Sequence, residues 1–249
     1  MSIIEIENLT HRFADGTLGL TDLDLQINEG AFVVIAGPNG SGKTTLLKHL
    51  NGLLLPTSGT VRLAGFSVAR NLVKARQFVG MIFQDPDSQI VGETVYEDVA
   101  FGPENLCLPR SQIQKRVAGA LDLVGLTDFA DQRPHLLSGG EKRRLAIAGI
   151  LAMKPRIIVF DEPFSSLDYP GVKQVLQQIL ALHQSGHTII VTTHDLEKVI
   201  AHADRLIFMN NGRIEREGPP QEIVHEAEAY GVRVPCATHL GMDMATWLN

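Results

Sequence analysis

Ala31-Phe-Val-Val-Ile-Ala36, running straight into Gly37-Pro-Asn-Gly-Ser-Gly-Lys-Thr44 and Thr45, is the stretch from which the fold can be read. Its first part is apolar without a break, as a strand covered on both faces must be. The second part fits G-x-x-x-x-G-K-[ST]; Leu46, Leu47 and Leu50 then mark a helix, with Gly52 placed to cap its end. From Gly37 through Asn39, Gly40, Ser41 and Gly42, the glycines let backbone N–H groups point inward around phosphates, and the helix N-terminus adds partial positive charge. Lys43 reaches the outer phosphates, and Thr44, with Thr45 behind it, offers a hydroxyl to Mg2+. The plain alternative is a glycine-rich turn that feeds a helix.

Outward from this stretch the pattern repeats. Upstream, Ile4 and Ile6 alternate with Glu5 and Glu7, and Leu23, Leu25 and Ile27 alternate with Asp24 and Gln26, so these are strands with one wet face. Downstream, Ile157–Phe160, Thr188–Thr193 and Arg205–Met209 read as further buried strands, and Val172, Val175, Leu176, Ile179 and Leu180 follow helical spacing between them. Strands alternating with helices imply an α/β chain with a mostly parallel sheet, whose ligands sit at the carboxyl ends of its strands. Asp85–Lys154 differs: Thr94…Glu97, Ser111…Gln114 and Ser138…Glu141 each have capping-box spacing, which predicts a helical insertion between two strands of the sheet. Beyond Gly218, short helices broken at Pro219, Pro220 and Pro235 are expected.

Of the 249 residues, 44% are hydrophobic and 20% charged, the balance of a globular protein. The formal net charge of −6 weighs against a nucleic-acid partner. Cys107 and Cys236 match no metal or redox spacing, which excludes a disulfide framework and points to a reducing compartment. The best apolar run, Leu145–Met153, falls well short of the roughly 20 residues a membrane span needs. MSIIEIENLT lacks the basic start and apolar run of a signal peptide, so any action at a membrane is expected to go through partners.

Four further features carry chemistry. Asp161-Glu162 ends a buried strand, where Asp161 suits water-mediated Mg2+ coordination and Glu162 suits orienting or deprotonating a water. Two acids solvating a strand end would look the same. Leu137-Ser-Gly-Gly-Glu-Lys-Arg-Arg144 opens a helix, and a capping box accounts for Ser138 and Glu141. It does not account for the successive Gly139 and Gly140, which weaken a first turn and instead make a second phosphate-facing surface, half of a split site. His194 ends a central strand on the ligand edge, where it is placed to hydrogen-bond a γ-phosphate. His183 and His187 have Gly186 between them and are not expected to form a helical metal pair. Gln84, at the hand-over from sheet to insertion, is placed to touch Mg2+ or the attacking water.

Taken in order, these residues resemble the nucleotide-binding subunit of ATP-binding cassette (ABC) transporters, over residues 3 to about 225. GPNGSGKT looks like Walker A, Gln84 like the Q-loop, Leu137–Glu141 like the signature, Ile157–Glu162 like Walker B, Ser165–Asp168 like the D-loop and His194 like the switch histidine. The resemblance implies a P-loop NTPase core over 1–84 and 156–217 that includes an N-terminal antiparallel β part. It further implies an inserted helical subdomain with the signature over 85–155 and a short tail over 218–249. It implies ATP hydrolysis with Mg2+ held at Thr44, Gln84 and Asp161. Lys43, Glu162 and His194 would be catalytic, with Phe13 stacking on adenine, although Phe13 reads equally as a core residue of the N-terminal sheet. Two subunits would bind head to tail, with Ser138, Gly139, Gly140 and Asp168 reaching the partner's ATP; a complete motif set favours a homodimer over a heterodimer.

Phe83–Ile90, Thr94–Pro103 and Leu50–Leu53 are similar to the ATPases of energy-coupling factor (ECF) importers, which take up vitamins or the transition metals cobalt and nickel. This implies a peripheral place on the cytoplasmic face of the membrane. The partners would be an integral scaffold subunit, received in a groove near Gln84, and a substrate-binding membrane subunit. Glu97 and Asp98 are candidates to meet basic scaffold residues, or simply helix-start acids. A helix over Thr238–Leu248 would be a shortened form of the segment that helps these ATPases pair. Other readings are the ATPase of another ABC transporter subtype and a soluble ABC ATPase outside transport.

Overall fold

The computed structural model describes residues 1–248; Asn249, the last residue of the expected 218–249 tail, lies outside the described residues. The apolar run becomes β3 (Phe32–Ala36), all of it buried. It lies inside a six-stranded sheet with β10 (Arg213–Gly218), β9 (Arg205–Asn210), β3, β8 (Thr188–Thr193), β7 (Ile157–Asp161) and β6 (Val79–Ile82) in that order. Every pairing is parallel except β9 with the edge strand β10. Side chains alternate across a strand, so β3 feeds two cores. Phe32, Val34 and Ala36 enter the core under the helices, with Phe160, Val191 and Phe208. Val33 and Ile35 enter the other, with Val159, Ile190 and Met209.

That second core is closed by α1 (Lys43–Leu50) and by an antiparallel sheet of β2 (Leu18–Asn28), β1 (Ser2–Arg12), β4 (Ser58–Leu63) and β5 (Phe66–Ser67). The alternation read in β1 and β2 holds: Ile4, Ile6, Leu23, Leu25 and Ile27 are buried, while Asp24 and Gln26 are exposed. Gly52 follows α1 with a left-handed φ of 70°, as a residue past a helix C-cap should. Between β4 and β6 runs the short α2 (Leu72–Phe78).

Between β6 and β7 lie α3 (Val95–Asn105), α4 (Arg110–Val124) and α5 (Gly139–Ala152). Thr94 and Ser138 both form complete capping boxes, with Glu97 and Glu141. Ser111 does not: α4 begins two residues earlier than a Ser111 cap would start it, with Pro109 at the N-cap and its carbonyl accepting from Gln112 and Ile113 N–H. Proline's fixed φ outcompetes the serine for the helix start. α6 (Tyr169–Gln184) then crosses from β7 to β8, burying Val172, Val175, Leu176 and Ile179 as spaced, with Leu182 in place of the half-buried Leu180.

The tail is short helices, α7 (Pro220–Ile223) and α8 (Cys236–His239), joined by a 3-10 segment. Its prolines start helices more than they break them, Pro220 in the first turn of α7 and Pro235 at the N-cap of α8. The helix expected over Thr238–Leu248 stops at His239, since Gly241 turns left-handed at φ 71°. The chain beyond it bends so that Met244, Trp247 and Leu248 pack on the core.

Asp98 departs from its expected role on the surface. It is 8% exposed, and its Oδ1 accepts from Val91 N–H (2.7 Å) and Gly92 N–H (3.0 Å), pinning the turn before α3. Glu97 is occupied too, since its Oε2 accepts from Thr94 N–H at 3.1 Å. Asp98 is thus buried out of a partner's reach, whereas Glu97 stays exposed and spends only one carboxylate oxygen on the cap. Burial pushes the Asp98 carboxyl above its ordinary range, against the two N–H donors that lower it. The protonated form is thus favoured on folding, and that contribution is full below the ordinary carboxylate range and is lost as pH rises from there through the raised value. Asp98→Asn keeps an acceptor without the charge, and its Tm at neutral pH is expected to equal or exceed that of the unaltered chain. Asp98→Ala strands both N–H groups and is expected to lose about 1–3 kcal/mol in denaturant unfolding.

Candidate functional site

The loops after β3, β6, β7 and β8 leave the sheet at its carboxyl edge, so Gly37, Gln84, Glu162 and His194 emerge near one another. A cavity of about 370 Å³ opens there, lined by Phe13, Thr17–Gly19, Asn39–Thr45, Gln84 and Glu162. Gly40 and Gly42 hold φ of 80° and 101°, which a side chain rarely adopts. A Cβ on Gly37 would lie 2.2 Å from Met209 O, and one on Gly42 2.8 Å from Gly19 O. The loop therefore needs its glycines for packing as well as for conformation. Ser41 Oγ is buried without a hydrogen-bond partner.

Lys43 is 6% exposed, and its Nζ donates to Gly37 O (2.7 Å) and Pro38 O (3.0 Å) and lies 3.8 Å from Glu162 Oε1. Burial pulls the ammonium below the usual lysine range, and Glu162 and Asp161 oppose that. Thr44 Oγ1 donates to Asp161 Oδ2 (2.7 Å), and Thr192 Oγ1 donates to Asp161 Oδ1 (2.6 Å). A hydroxyl and a carboxylate held together in this way are hard oxygen donors that fit Mg2+. Glu162, 7% exposed, sits in the left-handed region at φ 49°, a strained conformation typical of functional sites. Its N–H bonds Thr192 O, its Oε2 meets His194 Nδ1 at 3.0 Å, and its Oε1 has no hydrogen-bond partner.

Phe13 borders the cavity at 39% exposure and is not a core residue. Gln84 is exposed at the opposite side, and its carbonyl accepts from Arg143 Nη2 at 2.8 Å. Arg143 is buried in α5 and ties the Gln84 segment to the helix that Ser138 caps. That link and the Thr192 clamp on Asp161 are not visible in the sequence, where Arg143 reads as one of a basic run and Thr192 as a β-branched strand residue.

Ser138, Gly139, Gly140 and Asp168 do not line the cavity of their own chain. Ser138 is exposed, its Oγ donating to Glu141 Oε2 at 2.7 Å, and Cβ atoms added at Gly139 or Gly140 would meet nothing within 4 Å. Asp168 is exposed at the N-cap of α6, its Oδ1 accepting from Gly171 N–H at 2.9 Å.

A phosphate loop between a central parallel strand and a helix, with an acid pair at the end of β7, two strands along the same sheet, defines a P-loop NTPase. The chain belongs to the ABC transporter family, whose sequence pattern matches residues 20–165. It is 44% identical over 246 residues to the energy-coupling factor transporter ATP-binding protein EcfA of Methanocaldococcus jannaschii, covering 96% of this chain and 88% of that one. It superposes on cbiO1 of Clostridium perfringens, described as part of the ABC transporter complex cbiONQ. The TM-score is 0.82 at 35% identity, over 96% of this chain and 98% of that one. A dimeric, post-hydrolysis ATP-binding cassette bound to ADP and Pi aligns at TM-score 0.77 and 32% identity, over 87% of this chain and 98% of that one. The chain is thus an ABC-type ATPase of the ECF transporter group, and ATP is its substrate.

Proposed function

We propose that this chain drives an ECF importer from the cytoplasmic face of the membrane, as a peripheral subunit whose cargo is a transition metal ion (cobalt or nickel) or a vitamin. The observation that carries its chemistry is the meeting of Lys43, Asp161, Glu162 and His194 at one sheet edge. The triphosphate lies along the Gly37–Thr45 loop, with its base on Phe13. Lys43 leaves its backbone carbonyls for the outer phosphates. Glu162, buried and with one oxygen unpartnered, accepts the proton of the attacking water, and His194 holds that carboxylate in place and supports the γ-phosphate. Thr44, Asp161 and Gln84 would hold Mg2+, which neutralises phosphate charge. Ser138, Gly139, Gly140 and Asp168, at least partly exposed and away from their own cavity, complete the site of a second copy bound head to tail, a homodimer. ATP closes that pair and hydrolysis opens it.

The division of labour follows the chain. Residues 1–84 and 156–217 bind and hydrolyse ATP, 85–155 present the signature, and 218–249 form the tail. A groove of about 520 Å³ beside the Gln84 segment supports a membrane partner. It is lined by Leu53, Val73, Met81, Phe83, Phe101, Ile150 and Met153, with Val73 67% and Phe101 53% exposed. Such apolar surface at the joint between sheet and helical insertion suits a helix of the scaffold subunit. No helix among the described residues is long and apolar enough to cross a membrane.

Tagged protein drawn from its native membranes in mild detergent should bring down a scaffold and a small substrate-binding membrane protein, and the latter identifies the cargo. Val73→Glu with Phe101→Glu should abolish that co-purification while leaving ATP binding intact. Full recovery of the complex with the double variant would dismiss the groove as the docking site. Recovery of ribosomes or DNA factors in place of membrane proteins would dismiss transport.

A further inference from the structure

Phe13 owes its position to a structure behind it. It follows β1 at the mouth of the β1–β2 turn, where its N–H donates to Thr17 O at 2.9 Å and its carbonyl accepts from Gly16 N–H at 3.0 Å. These bonds fix its backbone and leave the ring to its neighbours. On one side is Gly19, where an added Cβ would stand 2.6 Å from Phe13 Cε2. Only a glycine there lets the ring lie where it does. On the other is His11, whose ring meets Phe13 edge to face, with centroids 4.6 Å apart and planes at 83°.

His11 is buried and does not line the nucleotide cavity. Its Nδ1 bonds Leu55 O at 3.1 Å, and its ring packs against His49 with centroids 4.8 Å apart. His49 is fully buried in α1, with its Nδ1 bonded to Thr45 O at 2.8 Å. Both Nδ1 atoms face carbonyls and therefore carry the proton, and both Nε2 atoms have no hydrogen-bond partner. The two imidazoles thus act as oriented aromatic rings, held at one end by the backbone and packed edge to face in series from Thr45 to Phe13.

We propose that His11 is the positioning residue of the adenine platform: with Gly19 it sets the plane of the Phe13 ring, and through His49 it ties that ring to the phosphate-binding helix. This rests on the reading of Phe13 as the base-stacking residue. The Phe13 ring is bounded on two sides, so its stacking face is preformed, and the cost of ordering it on binding is reduced. The phosphate loop and the base platform come from different sheets, and the imidazole pair is a route by which they hold a fixed separation.

The test is ATP hydrolysis and its inhibition by tripolyphosphate, which carries the phosphates without a base, on the full chain. His11→Ala is expected to raise the KM for ATP by about 3- to 10-fold, the worth of an edge-to-face aromatic contact, with kcat and the tripolyphosphate inhibition constant unchanged. His11→Phe, which restores a ring edge, should recover the KM, and His11→Ala should add nothing to Phe13→Ala. If His11→Ala does not fold, His11→Gln carries the same expectations. A KM unmoved by the His11 variant while Phe13→Ala raises it would overturn the positioning role and leave the platform standing. A parallel loss of tripolyphosphate binding would also overturn it, by showing general damage to the loop. A KM unmoved by Phe13→Ala would remove the platform itself, and the proposal with it.

Discussion

Glu162→Gln is expected to bind ATP as the unaltered chain does and to hydrolyse it at least about 10²-fold more slowly. The substitution is nearly isosteric, and the geometry around it can be kept. A Gln side-chain oxygen can still face His194 where Glu162 Oε2 now lies at 3.0 Å. The bonds to Thr192 that hold residue 162 come from its backbone, and Asp161 remains fixed by Thr44 and Thr192. What is lost is the one property the amide lacks, the ability to accept a proton in a water-poor pocket. Binding should survive because the phosphate loop is untouched. Removing the negative charge 3.8 Å from Lys43 also leaves that ammonium free for the phosphates. ATP-bound chains should therefore accumulate in the closed pair, visible as a dimer in size-exclusion chromatography with ATP. Near-normal turnover would sink the assignment of Glu162 as the base.

How much of this was legible in the sequence follows how local each feature is. β3, the phosphate loop and α1 are contiguous, so strand, glycine turn and helix are written side by side. The capping boxes at Thr94 and Ser138 span a single turn each and read correctly. The clamp that sets Asp161 joins it to Thr44 across 117 positions and to Thr192 across 31; the register of β7 beside β8 brings Thr192 to it, and the loop from β3 into α1 brings Thr44. Gly19 looks like strand filler until the ring of Phe13 is seen against it.

The misreadings are equally physical. Ser111 has the right partner spacing, but Pro109 reaches the helix start first. Asp98 has the charge of a surface acid, yet the two N–H groups of Val91 and Gly92 need an acceptor in a buried turn, and it supplies one. A helix over Thr238–Leu248 is expected from the resemblance alone, but Gly241 takes a left-handed turn and Trp247 then rests against Tyr169, with ring centroids 5.6 Å apart. In the first two cases a tertiary demand overrode a correct local preference.

Two inactive variants mixed together should recover activity, if the proposed head-to-tail site is right. Lys43→Ala removes the phosphate contact of its own cavity. Ser138→Arg fills the exposed signature surface and leaves its own cavity alone, since Ser138 does not line it. Each homodimer carries the same defect in both composite sites, so each is expected to fall to a few per cent of normal turnover or below. In a mixed dimer, one site pairs the intact Lys43 of one subunit with the intact Ser138 of the other. The second site carries both defects. Random pairing of equal amounts makes half the dimers mixed, each with one good site, so the mixture should regain about a quarter of normal activity if the sites fire independently. Closure that demands ATP at both sites would lower that figure without abolishing the gain over either homodimer. A site built within one chain predicts no gain at all on mixing. The capping bond from Ser138 Oγ to Glu141 makes the outcome more pointed. Ser138→Ala removes that bond and the cap its Oγ gives Glu141 N–H, and is expected to keep α5 folded at a cost of about 1 kcal/mol, so a loss of turnover in Ser138→Ala measures what the hydroxyl does for the partner's phosphate.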